Sequence, residues 1–385
     1  MDSLLLLFVS LAFSLVVLIV KRRSKATLSE PQNELVHVNK AEAPDFRYPA
    51  IQPLVDFDFD KTQPPPYRPF KWGPVYFISI TMAIRPMEFT EWIELDNQFR
   101  SYHRIRSHRV ATKGTDAVRT LPARDGVPSG ALAAKELVHE LSEYLSRRYP
   151  HVYRVERKPA QKDDFGWYNE GEIKTIEIIP IGVTYDLERD DPMTISGLLI
   201  QDDLALMLEG KDGRYYFQAG SVCTPGFWRI KDKIGLPLDE IHTRGNVPQY
   251  ESKLQNSLAK FFQKMRVDKP VTRNNYFFQI VHDQSDERRV DSIDPDELAW
   301  SETTNGDEDA WDHSNQRADP TPPATKPENV RFRTERQSLR RLPRSGAIVF
   351  TVRTYLEPIV KLAQEPGVPG RMAAAIRSWP PDVAL

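Results

Sequence analysis

The sequence predicts a mixed α+β fold: one large domain with appendages at both ends. Three observations lead there. Residues 75–84, 214–217, 273–280 and 347–356 are rich in β-branched and aromatic residues and read as strands. Residues 132–149 and 248–265 place apolar side chains at helical spacing. The two kinds of segment do not alternate in βαβ order, which argues against a doubly wound parallel sheet. The chain has 385 residues, 40% of them apolar, enough for a sizeable core.

In chain order, residues 4–20 are apolar apart from Ser10 and Ser14 and are followed at once by Lys21, Arg22, Arg23 and Lys25. That length crosses a bilayer, so residues 1–25 are expected to be a transmembrane anchor with a basic flank. A cleaved signal peptide carries its positive charge ahead of the apolar run, the reverse of this order. The positive-inside rule then leaves the domain in the cytosol, with the endoplasmic reticulum the expected membrane. Residues 26–69 are a Pro-rich tether in which Asp56, Asp58 and Asp60 alternate with Phe57 and Phe59. An Asp-x-Asp pattern of this kind also occurs in lumenal glycosyltransferases, but the charge flank contradicts that topology and no Asn begins an N-x-Ser/Thr sequon.

The main domain is expected over residues 70–360. Pro86 should open a helix burying Trp92, Ile93 and Leu95. His103, Arg104, Arg106, His108 and Arg109 read as a solvated helix face, with an anionic ligand as the alternative. The helix over 132–149 ends before Pro150 and reads as plain core. Its His139-Glu140 lacks the second histidine of a zincin motif, because position 143 is Glu. Gln201, Asp202 and Asp203 sit in an apolar context, so those acids need partners. Residues 284–329 are acidic, then Pro-rich, and read as a polar surface insertion. Beyond it, RFRTERQ alternates, SLRRLP reads as a turn or short helix, and residues 361–385 as a draped tail.

Charge and cysteine usage exclude some chemistry. A formal net charge of −2 gives no electrostatic case for nucleic acid. Cys223 is the only cysteine, so the chain forms no internal disulfide and holds no four-cysteine iron–sulfur cluster by itself. No G-x-G-x-x-G or P-loop is present.

His242 is the most informative residue. It follows an apolar run, Trp228, Ile230, Ile234, Leu236 and Leu238, and precedes Gly245 and Pro248, where regular structure must end. An imidazole there can ligate a metal or heme iron, or be a core-edge histidine satisfied by hydrogen bonds; both readings stand. In an extended RFRTERQ, Arg331, Arg333, Glu335 and Gln337 share one face. That face suits paired carboxylates, or else a buried ion-pair network. Arg340, Arg341 and Arg344 read as surface or partner-facing. Asn274 and Tyr276 are candidate pocket-wall residues, Tyr276 equally a core residue. His282 is the rival ligand, and His313 reads as solvated.

The succession GSVCTPGFW, KIGLPLDEIH, NVPQY, RNNYFF and RFRTERQSLRRLPRSGAIVFTVRTYLEP resembles the alpha subunit of the heme-dependent oxidative N-demethylases. The resemblance implies a PAS-like antiparallel sheet with flanking helices enclosing heme b. It implies oxidation of a small secondary amine with O2 and loss of a methyl group as formaldehyde, using electrons from an external reductase. On this resemblance His242 is the axial ligand, Arg331 and Arg333 meet the heme propionates, and Glu335 and Asn274 line the pocket. A heme-based sensor or carrier without turnover is the alternative. The anchor, the insertion and the spacing HTRGNVP depart from the family pattern and leave substrate and redox partner open.

Overall fold

The computed structural model describes residues 46–68, 82–245, 247, 249–281, 295–311 and 326–379. The expected anchor, most of the strand expected over 75–84, and His282 and His313 lie outside these residues. Among the described residues no helix is long and apolar enough to cross a membrane.

The strands are β1 (Arg85–Pro86), β2 (Val118–Thr120), β3 (Tyr153–Arg157), β4 (Ile173–Ile178), β5 (Val183–Asp186), β6 (Asp203–Glu209), β7 (Tyr215–Ser221), β8 (Val271–Ile280), β9 (Val330–Arg341) and β10 (Ile348–Pro358). Seven of them form a sheet in the order β1-β8-β9-β10-β6-β7-β2, and β3-β4-β5 form a smaller one. Every pairing is antiparallel. The backbone of the large sheet is the β9–β10 hairpin, in register from Arg341 opposite Ile348 to Arg331 opposite Pro358. The expected α+β class with a large antiparallel sheet and helices is what the chain adopts.

Two helical layers cover the sheet. One layer comprises α1 (Phe99–Lys113), α2 (Ala131–Arg148) and α3 (Pro192–Leu199). With the small sheet it packs Leu137, Leu141, Ile176, Ile195, Leu206 and Val349 into the principal core. The other layer comprises α4 (Ile230–Lys233), α5 (Leu238–Arg244) and α6 (Gln255–Lys264), the last led in by a π turn at Tyr250–Leu254. It packs Ile230 and Phe262 on Met207, Phe217, Leu339 and Ile348. Because strand side chains alternate, β9 sends Phe332, Thr334, Arg336, Ser338 and Arg340 to the face of the sheet that carries the first layer and Arg331, Arg333, Glu335, Gln337 and Leu339 to the face that carries the second.

Several local expectations change. Residues 89–91 make a single 3-10 turn, although Trp92, Ile93 and Leu95 are buried as expected. SLRRLP is no turn: β9 runs unbroken to Arg341, and Arg340 and Arg341 are buried. Arg340 pairs with Glu140 over the Trp92 ring, and Arg341 donates to the Phe262 carbonyl at 2.6 Å and the Met265 carbonyl at 2.8 Å. Nor is α1 a solvated basic face throughout. Arg106 is fully buried on Asp203 at 2.7 Å, and Arg109 is buried on Glu308. Part of the insertion is structured as α7 (Pro295–Ala299) and α8 (Glu302–Asn305), burying Leu298 and Trp300. After α9 (Ile359–Leu362), the tail forms α10 (Val368–Arg377), whose Val368, Met372 and Ala375 cover Phe332.

α2 also carries more than apolar packing. Glu140 receives Tyr48, Arg340 and the Trp167 indole, the last at 3.0 Å. Glu143 receives Arg157 at 2.6 and 2.8 Å, and Glu136 receives the Arg344 and Ser345 amides at 2.6 and 2.7 Å. Buried acids survive here because each is fully engaged.

Asp202 breaks that pattern. It is buried, and neither carboxylate oxygen has a hydrogen-bond partner among the described residues. Burial pushes its carboxyl up to about 7, against the opposing pull of Arg353, Arg336 and Arg106. A carboxyl raised from an unfolded value of about 4 keeps its proton only in the folded state between those two pH values. Folding stability from this group therefore falls as pH rises from about 4 to about 7, then levels off. Asp202→Asn removes that slope. In urea denaturation the variant should gain on the wild-type protein between pH 5 and pH 8, by on the order of 2–4 kcal/mol. A difference that does not change with pH would refute the assignment.

Candidate functional site

The site forms where the second layer meets β8 and β9. The chain leaves β7 through residues 222–229, whose start is pinned because the Asp203 carboxylate accepts the Cys223 amide at 2.8 Å and the Thr224 amide at 3.0 Å. Gly226 has φ +74°, and a Cβ there would stand 2.7 Å from Cζ of Arg333, so only glycine fits. Phe227 and Phe277 meet edge to face at 5.0 Å and flank the Arg333 guanidinium. After α4, Gly235 turns the chain with φ +85° and bonds back to the Phe217 carbonyl at 2.7 Å. Pro237 then caps α5, which carries His242 in its last turn.

His242 is held on two sides. Its Nδ1 lies 2.7 Å from the Leu238 carbonyl, and its ring stacks on Tyr250 at 4.7 Å between centroids. A carbonyl only accepts, so Nδ1 carries the proton and Nε2 the lone pair. Burial lowers the imidazole's pKa, with Lys233 and Arg273 adding to the effect and the Leu238 bond opposing it. The ring is thus neutral at physiological pH, the form that binds a metal.

The charge around His242 is unbalanced. Lys233 is pushed down to about 8 by desolvation, with Asp232 and Glu335 opposing. Its Nζ lies 4.6 Å from the centre of the Trp228 ring. Burial lowers Arg273 as well, with Glu335 opposing, and its Nε is buried without a partner. Arg333 is lowered by burial too, opposed first by Glu335. Half-buried Glu335 accepts from Gln337 Nε2 at 2.8 Å. Among the described residues none of these three cations has a carboxylate within ion-pair distance. Among the described residues Glu335 acts on all three cations and Asp232 on Lys233 as well, each beyond ion-pair distance, so Lys233 and Arg273 have no direct counter-charge.

The structure brings His242, Glu335 and Arg333 to the same side of the sheet and sends Asn274 to the other. Asn274 lies opposite Arg336 in register, takes a hydrogen bond from Arg85, and leaves its Nδ2 buried and unpaired. Tyr276 is also on that side, against Phe332 and Trp379. Arg331 is spent on Glu297 at 3.3 Å and the Glu328 carbonyl at 2.6 Å. Arg333 is spent on the Thr224 carbonyl at 2.6 Å, the Leu298 carbonyl at 3.2 Å and Gln279 Oε1 at 3.3 Å. Arg333 still leaves its Nε without a partner, as does Arg273, and among the described residues Lys233 forms no ion pair; sequence reasoning passed over Lys233 and Arg273. Arg273 had a signal: it stands at an even spacing from Asn275 and Phe277, opposite Gln337 on the face of Glu335.

A half-buried cation without a counter-charge is a stability liability unless a ligand meets it. Arg273→Met should leave the urea midpoint of the ligand-free protein unchanged or raise it, by roughly 0–2 kcal/mol. A loss well beyond 1 kcal/mol would mark Arg273 as structural.

These residue types fit a heme. A heme brings an iron that takes a neutral imidazole nitrogen and two carboxylates that pair with cations, and His242, Lys233 and Arg273 are residues of those types. A family model described as haem-dependent oxidative N-demethylase, alpha subunit-like, matches residues 83–385, which include His242, Lys233, Arg273 and Glu335. By that match over most of its length, the chain belongs to the haem-dependent oxidative N-demethylase alpha-subunit-like family.

Proposed function

We propose that the protein is an oxidoreductase that holds heme b against the second face of the sheet, in a PAS-like domain, and oxidises a small amine. The observation that carries this reading is the pairing of His242, fixed with its lone pair on Nε2, with Lys233 and Arg273, which form no ion pair among the described residues. His242 Nε2 would ligate the iron, and the Leu238 carbonyl would set ring orientation and basicity from the other side. Lys233 and Arg273 would meet the propionates, Arg273 through a planar fork suited to a carboxylate. When bound, the heme supplies oxygen binding and electron transfer. Glu335 would accept an N–H of the substrate ammonium and hold it at a fixed distance from the reacting methyl group. Phe227, Phe277 and Trp228 would keep water from that space.

The electrons must come from elsewhere, since the one cysteine, Cys223, is buried and builds no cluster. An external reductase is therefore part of the proposal. So is tethering by residues 4–20, with the domain facing the cytosol, which rests on the sequence pattern alone.

The test is reconstitution of the chain from Phe46 onward with hemin. The wild-type protein should bind about one heme per chain and show a Soret band and a ferrous–CO spectrum. His242→Ala should lose heme or change its axial ligation while keeping its far-ultraviolet spectrum. Wild-type spectra in His242→Ala, with their loss in His282→Ala, would move the ligand to His282. A wild-type protein that stays colourless would end the heme reading, and heme binding without reductant-driven amine turnover would favour a sensor.

A further inference from the structure

The 295–311 segment, expected as solvated polar chain, is fastened at both ends. At one end the Gly226 amide donates to the Ala299 carbonyl at 3.1 Å, and the Ser301 amide returns to the Gly226 carbonyl at 2.8 Å, a parallel bridge. Gln279 Nε2 reaches the Glu297 carbonyl at 2.6 Å. At the other end Glu308 receives the two terminal Arg109 nitrogens at 2.5 and 2.7 Å, and Asp309 receives Lys113 at 2.6 Å. Between them Leu298 and Ala299 bury against Tyr102 and Ile105.

Arg333 joins this segment to the wall of the candidate site. Its side chain is 0% exposed, and only neutral acceptors hold it. Nη2 donates to the Thr224 carbonyl and, at 3.4 Å, to Thr354 Oγ1; Nη1 donates to the Leu298 carbonyl and Gln279 Oε1. A buried guanidinium without an acid is costly, and every acceptor it loses leaves more of that cost uncovered. If residues 298–301 lift, Arg333 loses Leu298, and Gly226 loses both of its backbone bonds. If residues 224–227 shift, Arg333 loses Thr224, and the same backbone bonds break.

We propose that residues 295–311 are a strap clasped through Arg333 to residues 224–227, so that strap and site wall open and close as one unit. Arg333 is then a positioning residue. It acts through Phe227, which it lies beneath, and through the strap, without touching a ligand. The proposal is independent of what the site binds.

Hydrogen exchange on the full-length protein, without added heme, tests it. In Arg333→Met the amides of 224–227 and of 298–301 should both exchange at least tenfold faster, by similar factors. Gly226→Ala, which pushes on the guanidinium without removing it, should do the same and serves if Arg333→Met does not fold. Arg333→Lys keeps the charge but lacks the fork, so it should restore protection to no more than one of the two segments. Faster exchange in one segment alone, no change in either, or full protection of both in Arg333→Lys would overturn the clasp.

Discussion

The need to find partners for guanidinium groups inside a covered sheet governs this fold. Arg333, Arg336, Arg340, Arg341 and Arg353 on the central hairpin are all buried. Burial of an unpaired guanidinium costs several kcal/mol, so each draws acceptors from distant parts of the chain. Arg353 takes Asp96 at 2.6 Å, Arg336 takes Glu94 at 3.2 Å, Arg340 takes Glu140 on α2, and Arg341 takes carbonyls at the end of α6. A one-residue slip between β9 and β10 would carry each charge to the wrong face. The pairs thus fix register as well as neutrality.

The two faces differ in how far that rule is satisfied. On the first face Arg336, Arg340 and Arg353 each meet an acid. On the second, among the described residues, Arg331 meets Glu297, but Lys233, Arg273 and Arg333 have no carboxylate at ion-pair distance. Among the described residues the first side thus matches charge with charge, while the second leaves Lys233 and Arg273 without an ion pair, which is the contrast the proposed anion site rests on.

Much of this was legible. The helix over 132–149 and the strands over 273–280 and 347–356 announce themselves by period and composition, and His242 is marked by the Gly and Pro that follow it. Other features were hidden for identifiable reasons. Alternation in RFRTERQ implies one wet face only if the sheet is covered once; helices on both sides bury both sets, and SLRRLP then continues as strand. The helix at Val368–Arg377 starts with Gly367 in the left-handed region and a Pro in its first turn, which read as breakers where they act as start signals. Lys233 and Arg273 come together only through the Gly235 turn and the β8–β9 register, so no local window contains both.

The basic run of α1 shows how composition misleads without geometry. Arg106, Arg109 and Lys113 are spaced by three and then four residues, so they line one face of the helix. Arg106 holds Asp203, which pins the amides of Cys223 and Thr224; Arg109 and Lys113 hold Glu308 and Asp309. One helix face therefore supports both residues 223–224 and the far end of the 295–311 segment, so a displacement of α1 would disturb the two supports together.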